Sequence, residues 1–123
     1  MARVLLIDDT PEIAELLTYA LREHGHDVLW QGFVTDINEL VAGQRADAVV
    51  LDCSVLSNSE QLFDEIRSDA AHASLPVVIV SDTPEAADRS LRSRHAEHVF
   101  LIPKPFTGSQ IARALDELLA PAR

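Results

Sequence analysis

Four short apolar runs punctuate the chain, and each stops against polar residues. Val4-Leu5-Leu6-Ile7 ends in Asp8-Asp9, Ala48-Val49-Val50-Leu51 in Asp52, Val77-Val78-Ile79-Val80 in Ser81-Asp82, and Val99-Phe100-Leu101-Ile102 in Pro103-Lys104-Pro105. The runs are apolar on consecutive rather than alternate positions, as strands buried on both faces of a parallel sheet are. A fifth, shorter run from Asp27 to Trp30 suits a sheet edge.

Between the runs, apolar residues recur at helical spacing. Thr10 and Pro11 start a helix whose inner face is Ile13, Leu16, Leu17, Ala20 and Leu21, and Gly25 in His24-Gly25-His26 ends it. A second helix carries Val34, Ile37, Leu40 and Val41, with Thr35 or Asp36 near its start and Gly43 near its end. Asn58 or Ser59 opens a third, with Leu62, Phe63, Ile66 and Ala70 inward. Thr83-Pro84-Glu85 repeats the grammar of Thr10-Pro11-Glu12 and starts a fourth that runs to about His95, with Ala86, Ala87, Leu91 and Ala96 inward. That helix is the least apolar, so it should be the most loosely held. Ile111, Leu115, Leu118 and Leu119 mark the last helix, before Pro121. Strands at Arg3 to Asp8, Asp27 to Trp30, Asp47 to Asp52, Leu75 to Ser81 and Val99 to Ile102 thus alternate with five helices. The class is α/β: one doubly wound parallel sheet with right-handed crossovers, a single domain over residues 1–123.

Composition narrows the partners. A net charge of −10 disfavours direct binding to nucleic acid, whose affinity comes largely from Lys and Arg neutralising phosphates. No apolar run approaches a membrane span and no leader peptide is visible, so a cytoplasmic location is expected. One cysteine, Cys53, excludes an internal disulfide, and five scattered histidines offer no zinc spacing. Arg89, Arg92 and Arg94 read either as a solvated helix face or as a docking patch.

The chemistry lies where the runs end. Parallel strands of one open sheet bring their polar ends to the carboxyl edge, where such sheets bind ligands. Three carboxylates crowded there repel one another unless a cation sits among them. Magnesium uses one or two carboxylates and takes further ligands from water and phosphate, so the Asp cluster beside Ser81 and Lys104 points to phosphoryl chemistry. A strand-end carboxylate can itself be the nucleophile.

An acidic pair after the first strand, Asp52 after the third, Ser81 after the fourth and Lys104-Pro105 after the fifth together resemble the receiver domain of the two-component response-regulator family. The resemblance implies a flavodoxin-like (βα)5 three-layer sandwich with strand order 2-1-3-4-5, working as a phosphorylation-operated switch that turns over no substrate besides its own phosphoryl group. Asp52 would be the phosphoacceptor. Asp9, Asp52 and the Ser54 carbonyl would bind Mg²⁺ directly, with Asp8 acting through a metal-bound water. Ser81 would be the switch hydroxyl, Lys104 would contact the phosphoryl group, and the Lys104-Pro105 peptide would be cis. The implied donor is a sensor histidine kinase or histidine phosphotransferase, with output through protein contacts.

Several residues depart from the family pattern. Val55, Leu56 and Glu60 stand where Met, Pro and Gly are usual, so the loop after Asp52 is expected to differ. Leu101 occupies the switch-aromatic place counted back from Lys104, whereas Phe100 fits counted forward from Ser81; an extra residue near Pro103 would reconcile the counts. Asp82 replaces a small residue; it either helps Thr83 begin the fourth helix or leans over Asp52 and slows both gain and loss of phosphate. These departures keep a second reading open, a pseudo-receiver that signals without phosphorylation. A flavodoxin-like cofactor binder fails on charge, because Asp8 and Asp9 would repel a bound phosphate.

Overall fold

The structure, a computed structural model, describes residues 2–120. The consecutive apolar residues become the strands β1 (Arg3–Asp8), β3 (Ala48–Asp52) and β4 (Val77–Ser81), while β2 (Asp27–Gln31) and β5 (Val99–Pro103) are less deeply buried. All pairings are parallel and the order is β2-β1-β3-β4-β5, which puts the two less buried strands at the edges. The helices are α1 (Pro11–Glu23), α2 (Ile37–Gln44), α3 (Leu56–Ser68), α4 (Pro84–Ser93) and α5 (Gly108–Leu119), with a short 3-10 turn at Ala70–His72.

Alternate strand residues divide the core in two. Val4, Leu6, Val50, Val78 and Val80 pack against Leu17 and Leu21 of α1 and Ile111 and Leu115 of α5. Leu5, Ile7, Val49, Leu51 and Ile79 pack against Ile37 and Val41 of α2 and Phe63 and Ile66 of α3, with Leu91 of α4 beside them. The result is a flavodoxin-like three-layer sandwich. Gly108 lets α5 approach α1 closely, since a Cβ there would collide with that of Ala20. Gly25, at φ +85°, ends α1 as its sequence position implied.

Some sequence expectations need correction. Helix α3 begins at Leu56 rather than Asn58 or Ser59. Val55 is its N-cap without a side-chain bond, and Ser59, instead of capping, is a buried residue within the helix. Leu16, expected inward on α1, is 62 % exposed, and Ala14 takes the inner position. Helix α4 stops at Ser93, before His95, and only Ala87 of its expected inner face is fully buried. Pro121 lies outside the described residues. No extra residue interrupts β5: its ladder with β4 runs unbroken from Val77 opposite Val99 to Ser81 opposite Pro103. Phe100 therefore faces the α1 and α5 layer with Ile102, and Leu101 faces the α4 side with Val99.

Candidate functional site

Register builds the site. β1 and β3 stay paired to their last residues, Asp8 opposite Asp52, so two carboxylates leave the sheet side by side. β4 and β5 end together in the same way, and the Lys104 amide extends their ladder by donating to the Ser81 carbonyl at 2.9 Å. The Lys104-Pro105 peptide is cis. Lys104 returns its ammonium to 3.0 Å from Oδ1 of Asp52, an ion pair without the alignment of a hydrogen bond.

The carboxylates have different environments. Asp8 is fully buried; its Oδ1 accepts from the Thr10 amide at 2.9 Å, while its Oδ2 has no donor. Burial, and after it the charges of Asp52 and Asp9, push its carboxyl up from the ordinary 3.8 to about 7, against the lowering effect of the Thr10 amide. Asp9 is turned across the crevice, where its carboxylate accepts from the Ser54 hydroxyl at 2.6 Å and the Ser54 amide at 3.2 Å. Those bonds hold it below the usual carboxylate range. Asp52 is 1 % exposed, and neither of its oxygens receives a hydrogen bond. Burial alone would depress Lys104, but the carboxylates of Asp52, Asp82 and Asp8 outweigh it and hold the ammonium above its usual range.

The remaining candidates frame this centre. Ser81 is nearly buried, its Oγ accepting from the Thr83 amide at 3.0 Å and lying 3.2 Å from the Thr83 hydroxyl. Thr83 is the N-cap residue of α4 without a side-chain capping bond, and Asp82 is exposed. Cys53, beside Asp52, has its thiol pushed up by burial, which disfavours the reactive thiolate.

A hard cation fits the donor set. Among the described residues no three His, Cys, Asp or Glu side chains are gathered as ligands, and Asp9 is engaged with Ser54. What the site offers is a buried pair of carboxylates with donorless oxygens, and magnesium needs only one or two carboxylates.

The family model of the response regulator receiver domain matches residues 4–116. The chain belongs to the response regulator receiver family. Protein PilH of Pseudomonas aeruginosa is 29 % identical to this receiver over 121 residues, covering 98 % of this chain and 99 % of that one. The probable transcriptional regulatory protein TcrX of Mycobacterium tuberculosis is 29 % identical over 94 % of this chain, which spans about half of TcrX, 49 % of its length. Among solved structures, a sensor protein from Polaromonas sp. JS666 superposes with a TM-score of 0.80 at 25 % identity, covering 95 % of this chain and 94 % of that one. The receiver domain of the sensor histidine kinase PA1611 of Pseudomonas aeruginosa gives a TM-score of 0.73 at 23 % identity, over 95 % of this chain and 96 % of that one. That structure has a magnesium ion coordinated in its active-site cleft. No helix among the described residues of this receiver is long and apolar enough to cross a membrane.

Contacts outside the sequence reading complete the receiver. Trp30 donates its indole N–H to the Asp8 carbonyl at 2.8 Å. Arg94 grips Asp64 with two bonds, at 2.8 and 3.0 Å, and contacts Glu60 and Ser90, while Ser90 also donates to Glu60. Arg92 pairs with Asp88 of its own helix. The cluster of arginines is thus largely spent on ion pairs, and Glu60, where the family usually has Gly, holds α4 to α3. Arg67 donates to the carbonyls of His72, Leu75, Glu97 and His98, tying the end of α3 to the entry of β5. A lone Trp on an edge strand or a Glu on a helix carries no sequence signal of such a partner.

Proposed function

We propose that this receiver is a phosphorylation-operated switch whose phosphoacceptor is Asp52. The observation carrying this reading is the pair of donorless Asp52 oxygens, buried between Asp8 and the Lys104 ammonium. A carboxylate without hydrogen bonds keeps its lone pairs for attack, and Lys104 balances charge that builds on the transferred group. Asp52 Oδ would attack the phosphorus of a phosphohistidine on a donor protein; the new O–P bond forms as the P–N bond breaks, and the imidazole leaves with the electron pair. Asp8, Asp9, Asp52 and the Ser54 carbonyl are the groups that would hold Mg²⁺. The bound ion supplies neutralisation of phosphoryl oxygens. Asp9 would exchange its bonds to Ser54 for that role, and Ser81 would turn from Thr83 towards the phosphoryl group. A sensor histidine kinase or histidine phosphotransferase would be the donor, and output would pass through protein contacts.

Exposure to acetyl phosphate and Mg²⁺ followed by mass spectrometry tests the reading. One added phosphoryl group, lost in Asp52→Ala, is expected. Labelling that persists in Asp52→Ala, or that sits on Ser81, defeats it. The second reading, a pseudo-receiver, draws on the engagement of Asp9 with Ser54 and on Leu101 at the aromatic place. Absence of any labelling together with absence of Mg²⁺ binding would favour it.

A further inference from the structure

We propose that Trp30 is a positioning residue for the acidic pair, its indole N–H holding the peptide that joins Asp8 to Asp9. β1 and β2 pair only as far as Ile7 opposite Gln31, so the Asp8 carbonyl lies past the end of that ladder. On its other side Asp8 is still paired, with Asp52 of β3. The last peptide of β1 would therefore be fixed from one side alone. Trp30, one residue before the end of β2, fills the gap with a 2.8 Å bond from its Nε1 to the Asp8 oxygen.

That oxygen belongs to the same peptide as the Asp9 nitrogen, and rotation of this peptide would move both acidic side chains. Asp8 Oδ1 is held by Thr10 and Asp9 by Ser54, but those residues lie on loops beyond the strands. The indole is the clamp that comes from the sheet. Trp30 is 38 % exposed, so burial gives only part of the reason for a tryptophan here. An N–H at the end of a long, flat side chain gives the rest.

The proposal rests on the reading that this acidic pair binds Mg²⁺, and the test separates the two. Calorimetric Mg²⁺ titration of Trp30→Phe should give an affinity about tenfold below wild type, in the range seen when an outer partner of a metal ligand is lost. Labelling by acetyl phosphate should lag at low Mg²⁺ and recover at saturating Mg²⁺, a loss of affinity rather than of rate. A variant carrying benzothienylalanine at position 30 keeps the ring shape without the N–H, and it should behave as Trp30→Phe does. Since Trp30 is the sole tryptophan, its indole N–H gives one signal in a ¹H–¹⁵N spectrum. In wild type this signal should shift during Mg²⁺ titration with the calorimetric midpoint. Wild-type affinity in the benzothienyl variant, or an indole signal indifferent to Mg²⁺ that the protein binds, overturns the clamp. Failure of wild type to bind Mg²⁺ overturns the site reading and the clamp with it.

Discussion

Asp8 carries a cost that the Thr10 amide relieves only in part. Its carboxyl is pushed up from 3.8 to about 7, so between those values the folded chain holds a proton that the unfolded chain releases. Stability is thus favoured at low pH and lost as pH rises through that window. Without Mg²⁺, denaturant midpoints should fall between pH 5 and about 7.5, and Asp8→Asn should flatten this slope. At pH 7.5 the same substitution should raise stability by on the order of 1–3 kcal/mol while removing most of the stabilisation by Mg²⁺, read as the shift in thermal midpoint. A midpoint lowered by Asp8→Asn would contradict this account. Asp82 gives a second residue-level expectation, because it acts on Lys104 by charge and remains exposed. If it guards Asp52, Asp82→Ala accelerates both phosphorylation by acetyl phosphate and subsequent hydrolysis, each several-fold; unchanged rates would assign access to other residues. The sequence made the residue types of the centre legible, because each terminates an apolar run. It left the turning of Asp9 onto Ser54 and the reach of Trp30 unread, since side-chain direction beyond a strand end has no periodicity to reveal it.

Among the elements, α4 is as sparsely packed as its composition implied. Its sparse apolar face, with Ala87 alone fully buried, marks a loosely packed helix. Yet Arg94, just past its last turn, clasps Asp64 and contacts Glu60 of α3, and these ion pairs supply part of the hold that packing lacks. The groups are partly exposed, so a double-mutant cycle between Arg94→Ala and Asp64→Ala should return a coupling of about 0.3–1 kcal/mol. Native-state hydrogen exchange should accelerate within α4 in either variant while β4 stays protected, and equal acceleration in both elements would mean that the clasp serves the whole fold. The composition of α4 was readable; its clasp was not, because residues 60 and 94 are unrelated by any local spacing. The capping box of Thr107 and Gln110 at the start of α5 could have been read, as Ser or Thr followed three residues later by Gln is its signature.

At the scale of the molecule, five apolar runs alternating with five helical stripes implied a doubly wound parallel sheet, whereas the strand order followed only from the resemblance to the receiver family. Boundaries slipped where no cap residue marks them, as at Leu56, where the chain turns helical straight after the site loop. Charge acts over the same scale. With −10 on 123 residues, an anionic small-molecule donor approaches against the field of the protein. Labelling by acetyl phosphate should therefore quicken as ionic strength rises from about 0.01 to 0.15 M, where the screening length shrinks from roughly 30 to 8 Å. A rate that falls with salt at saturating Mg²⁺ would show local attraction near Lys104 to dominate. Phosphorylation should also change hydrogen exchange around residues 82 to 102, the stretch from Ser81 through α4 to β5; a response confined to residues 11 to 45 would place the output elsewhere.

If Asp52 is phosphorylated as proposed, the bond between the Ser81 hydroxyl and the Thr83 amide would make switching an exchange rather than a gain. A hydroxyl that turns towards a phosphoryl oxygen forms a charge-assisted bond worth about 1.5–3 kcal/mol, and it leaves a neutral one worth about 0.5–1.5 kcal/mol. The difference is about 1 kcal/mol, a ratio near five to one between turned and unturned forms. With Leu101 in place of an aromatic, no ring swings into the space behind the hydroxyl to add to that bias. The phosphorylated receiver would then sample both conformations, and a binding partner that favours one of them would supply the rest of the commitment.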